Sequence, residues 1–295
     1  MNPVASSFEP APATRVWRCR DRSLTLGGVP QIMGILNVTP DSFFDGGRHT
    51  QLELAMARAR QLVEEGAAII DVGGQSTRPG FEEVSTAEEL SRVVPVVAAI
   101  ARELDVVISI DTYRPEVARE ALAAGAHIVN DIHGLQDAPA LAELAAEHGA
   151  GVVAMHHDRT FRDETGRELA RMREWFARTL SIAADAGLDP SAVVLDPGIG
   201  FYKTQAQNLA LLGRLADLRE SGHAVLLGAS RKSVIAHVLD GVGPEERLEG
   251  TLALTALAAW QGVEIVRVHD VRANLRAARV ASATRIVAGQ GENFS

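Results

Sequence analysis

VVISIDTYRPEVAREALAAGAHIVND (106–131) decides the fold. An apolar run stops on Asp111, and Pro115 then opens a stretch with apolar residues at helical spacing. That stretch stops at Gly125, and a second apolar run stops on Asn130 and Asp131. The reading is strand, helix, strand, with the unusual polar residues at the same end of both strands.

Working outward, the unit recurs. IMGILN (32–37) and AIIDVGG (68–74) precede it, and GVVAMHH (151–157), AVVLDPG (192–198), AVLLGAS (224–230) and EIVRVHD (264–270) follow. Between them, helical spacing is found over 52–66, 86–103, 138–149, 167–187, 209–222, 233–240 and 246–262, and a last helix over 271–283. Pro95 marks a kink or a split in the second of these. Eight strands alternating with helices predict an α/β fold, a single (β/α)8 TIM barrel domain over 15–295, whose strand ends converge on one mouth. An open doubly wound sheet would carry GxGxxG after an early strand; NVTPDSFFDGG (37–47) stands there instead, and neither GVGPEER (241–247) nor any GxxxxGK[ST] cradles a phosphate. Residues 15–31 alternate and predict a short N-terminal β-hairpin closing the barrel bottom, and the Pro/Ala/Ser-rich residues 1–14 predict a poorly ordered tail.

Composition narrows the function classes. Cys19 is the single cysteine, which excludes a disulfide framework and a cysteine-rich metal site. With no signal pattern and no apolar run near the ~20 residues of a membrane span, a cytoplasmic location is expected. A net charge of −9, with no basic block, argues against nucleic acid. Only two lysines occur, Lys203 and Lys232, both in dense polar clusters just past strand ends; a compact ammonium differs from a planar guanidinium in what it can hold.

The polar clusters carry the chemistry. Asn37 ends the first strand, followed by Thr39, Pro40, Asp41, Ser42 and Phe43; turn formation alone or a catalytic loop accounts for them. Asp71 is followed by Gly73, Gly74, Gln75, Ser76, Thr77, Arg78 and Pro79, a tight turn or a place to hold an anion. Asp111, Asn130 and Asp196 suit the edge of a polar heterocycle that alternates donors and acceptors, although Asp131 also reads as a cap. Ser230, Arg231, Lys232 and Ser233 follow the seventh strand, and Arg267 and His269 share a face of the eighth. Lys232, Arg267 and His269 could hold a leaving pyrophosphate. His133, His156, His157 and His269 invite a zinc reading, but there is no HExxH. Hard Mg²⁺ would ask for few protein oxygens, of which Asn37 could supply one.

MGILNVTPDSFFDGG (33–47), DVGGQSTRPG (71–80), ISIDTYRPEVA (108–118), GAHIVNDI (125–132), LDPGIGFYKT (195–204), LGASRKS (227–233) and RVHDV (267–271) together resemble the dihydropteroate synthase family of pterin-binding barrels. The resemblance implies a transferase of folate biosynthesis that needs Mg²⁺ and is a sulfonamide target. It would condense a dihydropterin methyl diphosphate with 4-aminobenzoate. It implies that Asp111, Asn130, Asp196 and Lys232 meet the pterin, that Arg267 and His269 clamp the diphosphate, and that Asn37 stands on the metal side. Thr77, Arg78, Pro79 and Ser233 would serve the diphosphate and aminobenzoate side, and the mobile loops 38–48 and 75–81 would close over both. A homodimer through outer helices is also implied. The chain departs from the family pattern at Gln75 for Glu, Tyr202 for glycine, His133 for a small residue and His157 for methionine, which bears on the loops and on aminobenzoate affinity. A pterin-binding module serving methyl transfer, or a paralogue with weak activity, shares the same acidic set.

Overall fold

The structure is a computed structural model that describes residues 15–38, 48–75, 84–163 and 166–289. The predicted tail over 1–14 lies outside these, as do Thr39, Asp41, Ser42, Phe43, Thr77, Arg78 and Pro79.

Strands β1 (Arg15–Cys19) and β2 (Arg22–Leu26) pair antiparallel. The barrel then runs β3 (Gln31–Asn37), α1 (Arg48–Glu64), β4 (Ile69–Gly73), α2 (Thr86–Glu103), β5 (Val107–Asp111), α3 (Pro115–Ala123), β6 (Ile128–Asp131), α4 (Ala140–His148) and β7 (Gly151–Met155). It continues with α5 (Glu168–Asp185), β8 (Val193–Asp196), α6 (Gln205–Leu212), α7 (Leu215–Arg219), β9 (Ala224–Leu227), α8 (Ser233–Val238), α9 (Leu248–Trp260), β10 (Ile265–Val268) and α10 (Val271–Gly289). All eight strands β3 to β10 are parallel, and β10 returns to pair with β3, closing the barrel. This is the (β/α)8 barrel with an N-terminal hairpin that the strand pattern predicts.

Three helices differ from expectation. Pro95 neither splits nor ends α2, because it lies on the exposed face, where the carbonyl it leaves without a helical partner meets water. The helix expected over 209–222 begins earlier, at a capping box in which Thr204 and Gln207 satisfy each other's backbone N–H groups. It then breaks at Gly213 and Arg214 into α6 and α7. The last helix continues beyond residue 283 to Gly289.

Strand alternation sorts the core into two bodies. Ile32, Leu36, Ile70, Val72, Ile108, Ile110, Val129, Val152, Leu195, Val225 and Val266 face outward and pack against the helices. Met33, Ile69, Val107, Ile128, Val153, Val194, Leu226 and Ile265 face inward and fill the lower barrel. The hairpin seals that lower layer. Trp17, only 1% exposed, and the buried Cys19 and Leu26 join it, and the indole N–H donates to Ala192 O at 2.9 Å. Gly151 is required for this approach, since a Cβ there would lie 2.8 Å from Cys19 Sγ and 2.9 Å from Trp17 Nε1. Burial pushes the Cys19 thiol up to about 12, so it serves as packing rather than as a nucleophile.

Trp17→Ala removes the largest side chain of the seal and is expected to cost roughly 3–5 kcal/mol. Urea unfolding followed by circular dichroism checks this, with the midpoint falling and the secondary structure of the folded baseline retained.

Candidate active site

Two residues above the apolar layer, six of the eight inward positions change character. Ile69 gives way to Asp71, Val107 to Ser109, Ile128 to Asn130, Val194 to Asp196, Leu226 to Gly228 and Ile265 to Arg267. Met33 and Val153 are followed by Ile35 and Met155, the apolar part of the same ring. One more step up stand Asn37, Gly73 and Asp111, which the registers bring level as neighbours across β3, β4 and β5. The polar strand ends read from the sequence therefore share one mouth, as barrel geometry requires.

Arg267 organises the floor of this mouth. Its Nε donates to Asp71 Oδ2 at 2.6 Å and its Nη2 to Asp111 Oδ2 at 2.6 Å. Asn130 Nδ2 donates to the same Asp71 oxygen at 3.2 Å. The guanidinium thus sits among the carboxylates rather than apart from them, and they hold it charged, above its ordinary value, against the cost of burial. Burial pushes the Asp111 carboxyl up to about 7 against the pull of Arg267, with Asp71 adding to the rise. Asp71 is fully buried, and its Oδ1 has no hydrogen-bond partner among the described residues, leaving an acceptor to offer. Asp71 was not among the expected pterin partners. The signal for it was available, since it lies two residues beyond the buried Ile69 on the same face.

Asp196 Oδ1 accepts from Gly198 N at 2.7 Å, and burial raises its carboxyl while Lys232 opposes the rise. Gly228, opposite, has no side chain to cover Oδ2, which lies 3.4 Å from where a Cβ would be. Lys232 donates to Ile199 O at 2.6 Å and lies over the Phe201 ring at 4.7 Å. Burial lowers its ammonium to about 8, although Asp196 pulls the other way.

The chain's other lysine grips the same loop from behind. Lys203, 5% exposed, donates to Gly198 O at 2.9 Å and Phe201 O at 3.1 Å, and lies 3.1 Å from His156 Nδ1. His156 is buried among Phe161, Trp175 and Phe176, and burial followed by Lys203 drives its imidazole down to about 2. It is therefore a neutral wall residue that faces away from the mouth. Its rarity and its place in a polar cluster past a strand end single out Lys203, but no local pattern shows that its partners are carbonyls.

The remaining expected residues divide. His269 Nδ1 lies 3.0 Å from Ser230 Oγ, and Arg58 donates to its carbonyl at 2.8 Å. Ser233 opens α8 on the exposed side. Arg231 turns away to make a two-pronged pair with Asp270, at 3.0 and 2.8 Å. Asp131 braces a turn rather than a helix, accepting from His133 N and Leu135 N at 2.8 and 2.7 Å. Asn37 Oδ1 faces the bare Cα of Gly73 beside Asp111. Among the described residues no group of three or more His, Cys, Asp or Glu side chains could hold a metal.

The positions that depart from the family pattern fall in one line. Gln75 Nε2 reaches the Tyr113 hydroxyl at 3.3 Å, Tyr113 lies against His133, His133 against His157, and His157 against Tyr202. Tyr202 has a φ of 47°, the left-handed region where glycine is at ease and a tyrosine is strained.

A barrel whose mouth carries this carboxylate, amide and cation set defines a pterin-binding enzyme, and the family model described as pterin binding enzyme matches residues 33–269. Dihydropteroate synthase of Bacillus subtilis (strain 168) is 46% identical over 272 residues, covering 92% of this chain and 94% of that protein. A Xanthomonas albilineans dihydropteroate synthase solved with 4-aminobenzoic acid superposes with a TM-score of 0.87 at 40% identity, covering 92% of this chain and 99% of the other. Another from Clostridium difficile, solved with pteroic acid, gives 0.84 at 46% identity, covering 88% and 98%. The chain belongs to the dihydropteroate synthase family.

Arg267→Met strands Asp71 and Asp111 in the barrel. Losing one partner of a buried ionic cluster is expected to cost roughly 3–5 kcal/mol near pH 8. The Asp111 carboxyl already stands above its unfolded value, so its burial favours the protonated form. Loss of Arg267 raises that carboxyl further, so the deficit should shrink as pH falls from 8 towards about 7 and stay level below that, and denaturant midpoints compared at pH 5.5 and 8 test that sign.

Proposed function

We propose that this chain condenses (7,8-dihydropterin-6-yl)methyl diphosphate with 4-aminobenzoate, giving 7,8-dihydropteroate and pyrophosphate in folate biosynthesis. The observation that carries the reading is the polar layer itself, with Asn130, Asp196 and Asp111 facing the cations Lys232 and Arg267 over a sealed apolar floor.

In this reading the pterin's donor-rich edge lies on Asp111, Asn130 and Asp196, with Asp71 Oδ1 as a further acceptor. The bond from methylene carbon to diphosphate oxygen breaks with its electron pair leaving on oxygen. The electron-rich ring spreads the positive charge, and the surrounding carboxylates favour it. Lys232, Arg267 and His269 favour the departing anion. The lone pair of the weakly basic aryl amine then forms the new C–N bond, and the amine's proton leaves to water or to the released diphosphate. No general base is needed, because the lone pair of the aryl amine is already free near neutral pH.

Mg²⁺ fits the residues present, because one amide oxygen from Asn37 beside Asp111 matches an ion that keeps its waters and leans on substrate phosphates. When bound it would supply charge neutralisation to the diphosphate. Ser233 and the segment with Thr77, Arg78 and Pro79 serve the diphosphate and aminobenzoate side in the same reading, and Thr39, Asp41, Ser42 and Phe43 the covering loop. A cytoplasmic homodimer belongs to it too, and the exposed apolar side chains Leu257, Trp260 and Val280 on α9 and α10 support that contact.

The deciding experiment is pyrophosphate release. It is expected only when Mg²⁺, the pterin diphosphate and 4-aminobenzoate are all present, and a sulfonamide should compete with the aryl amine. Release with water alone would overturn the reading, and methyl transfer from methyltetrahydrofolate would favour the methyl-transfer module instead.

Two finer outcomes follow from the site. Asp196→Asn replaces a charged acceptor by a group that partly donates and should weaken pterin binding by ~2–4 kcal/mol in calorimetry. The Lys232 ammonium, lowered to about 8, is present below that pH and lost above it. The profile of kcat/KM should accordingly fall on the alkaline side near pH 8, and Lys232→Arg should move that limb out of range even though its maximum is lower.

A further inference from the structure

Four rings close one side of the mouth. Tyr113 follows β5, His133 follows β6, His157 follows β7 and Tyr202 follows β8, so each of four consecutive strands contributes one. Their neighbouring centroids lie 4.7, 4.6 and 4.9 Å apart. At these spacings each ring touches the next, and nothing passes between them. The row is anchored at one end by Gln75 and ends at the other in Tyr202, which is 41% exposed. Burial holds the His157 imidazole down to about 4, so this ring carries no charge at neutral pH and meets its neighbours as an aromatic surface.

The end of the row stands beside the reacting groups. Phe201, next to Tyr202 in the chain, lies under the Lys232 ammonium and 6.0 Å from the His157 ring. Gly200 sits so close that a Cβ there would lie 3.4 Å from Lys232 Cδ. An aryl amine attacking a methylene carbon beside Lys232 must point its nitrogen inward. Its para substituent then points outward, past Phe201 and the rim. On the β5 to β8 side that rim is a continuous wall, and Tyr202 is the post at its end.

We propose that Tyr202 is a specificity-determining residue that limits the size of the group an aryl amine can carry para to its nitrogen. The inference rests on the functional reading above. Strand positions alone would leave a gap here, since a glycine suits the backbone at φ 47° and has no side chain to fill it. The tyrosine stays at this unfavourable angle with its ring edge on His157, 82° from its plane.

The test compares 4-aminobenzoate with 4-aminobenzoyl-glutamate, which carries a bulky para amide, as the aryl amine for the parent, Tyr202→Gly and Tyr202→Phe. Tyr202→Gly relieves the backbone, so failure to fold is not a confounding outcome. The ratio of kcat/KM for the larger amine over the smaller is expected to rise at least about ten-fold in Tyr202→Gly and to stay near the parent value in Tyr202→Phe. Affinity for the pterin diphosphate, measured by calorimetry, should be the same in all three, which separates a change in the rim from a general loosening of the site. A ratio in Tyr202→Gly within two-fold of the parent, or one that moves equally in Tyr202→Phe, overturns the proposal. A parent that fails to turn over 4-aminobenzoate overturns the functional reading itself, and so is distinguishable from either.

Discussion

Arg267 spans the barrel to reach Asp71 on β4 and Asp111 on β5, and the upper half of the interior depends on that span. Without it, the fully buried Asp71 and the neighbouring Asp111 would lose their nearest counter-charge. With it, the mouth holds negative charge in fixed positions. Asn130 is tied to the same Asp71 oxygen, so its amide is oriented by the pair rather than by its own rotamer alone. The lower half needs no such device, because Met33, Ile69, Val107, Val153 and their neighbours fill it with apolar side chains.

The second constraint is the loop after β8. Gly198, Gly200 and Tyr202 all have left-handed backbones, which turn successive carbonyls to different sides. The chain's two lysines answer from opposite directions: Lys203 takes Gly198 O and Phe201 O, and Lys232 takes Ile199 O. Phe201 is thereby fixed under the Lys232 ammonium. An arginine in either place would present a broad planar fork where a narrow one-atom donor fits.

The strands were legible because each is an apolar run ending in polar residues, and all eight appear where the runs are. Asp111, Asn130, Asp196, Lys232 and Arg267 were legible for the same reason: chemistry in a parallel barrel gathers at strand ends. What the sequence hid depends on pairing across the barrel. The embrace of Arg267 by Asp71 and Asp111 joins residues 196 and 156 positions apart, and no local pattern announces it. The break between α6 and α7 was hidden too, because the apolar spacing runs through Gly213 without interruption. The unusual residues Gln75, His133, His157 and Tyr202 were noticed singly. That they form one line is a property of the barrel's circumference, on which residues from successive loops become neighbours.

The seal beneath the barrel has a consequence for the order of assembly. Trp17 donates to a carbonyl 175 residues further along the chain, and Arg20 N to Gly149 O. The docking place of the hairpin is therefore not complete until β7 and β8 exist. During synthesis its indole must wait in solvent while most of the barrel is made, and closure of the floor is a late, long-range event. The end of the molecule that takes no part in chemistry is thus the end that reports whether the ring of strands has been completed.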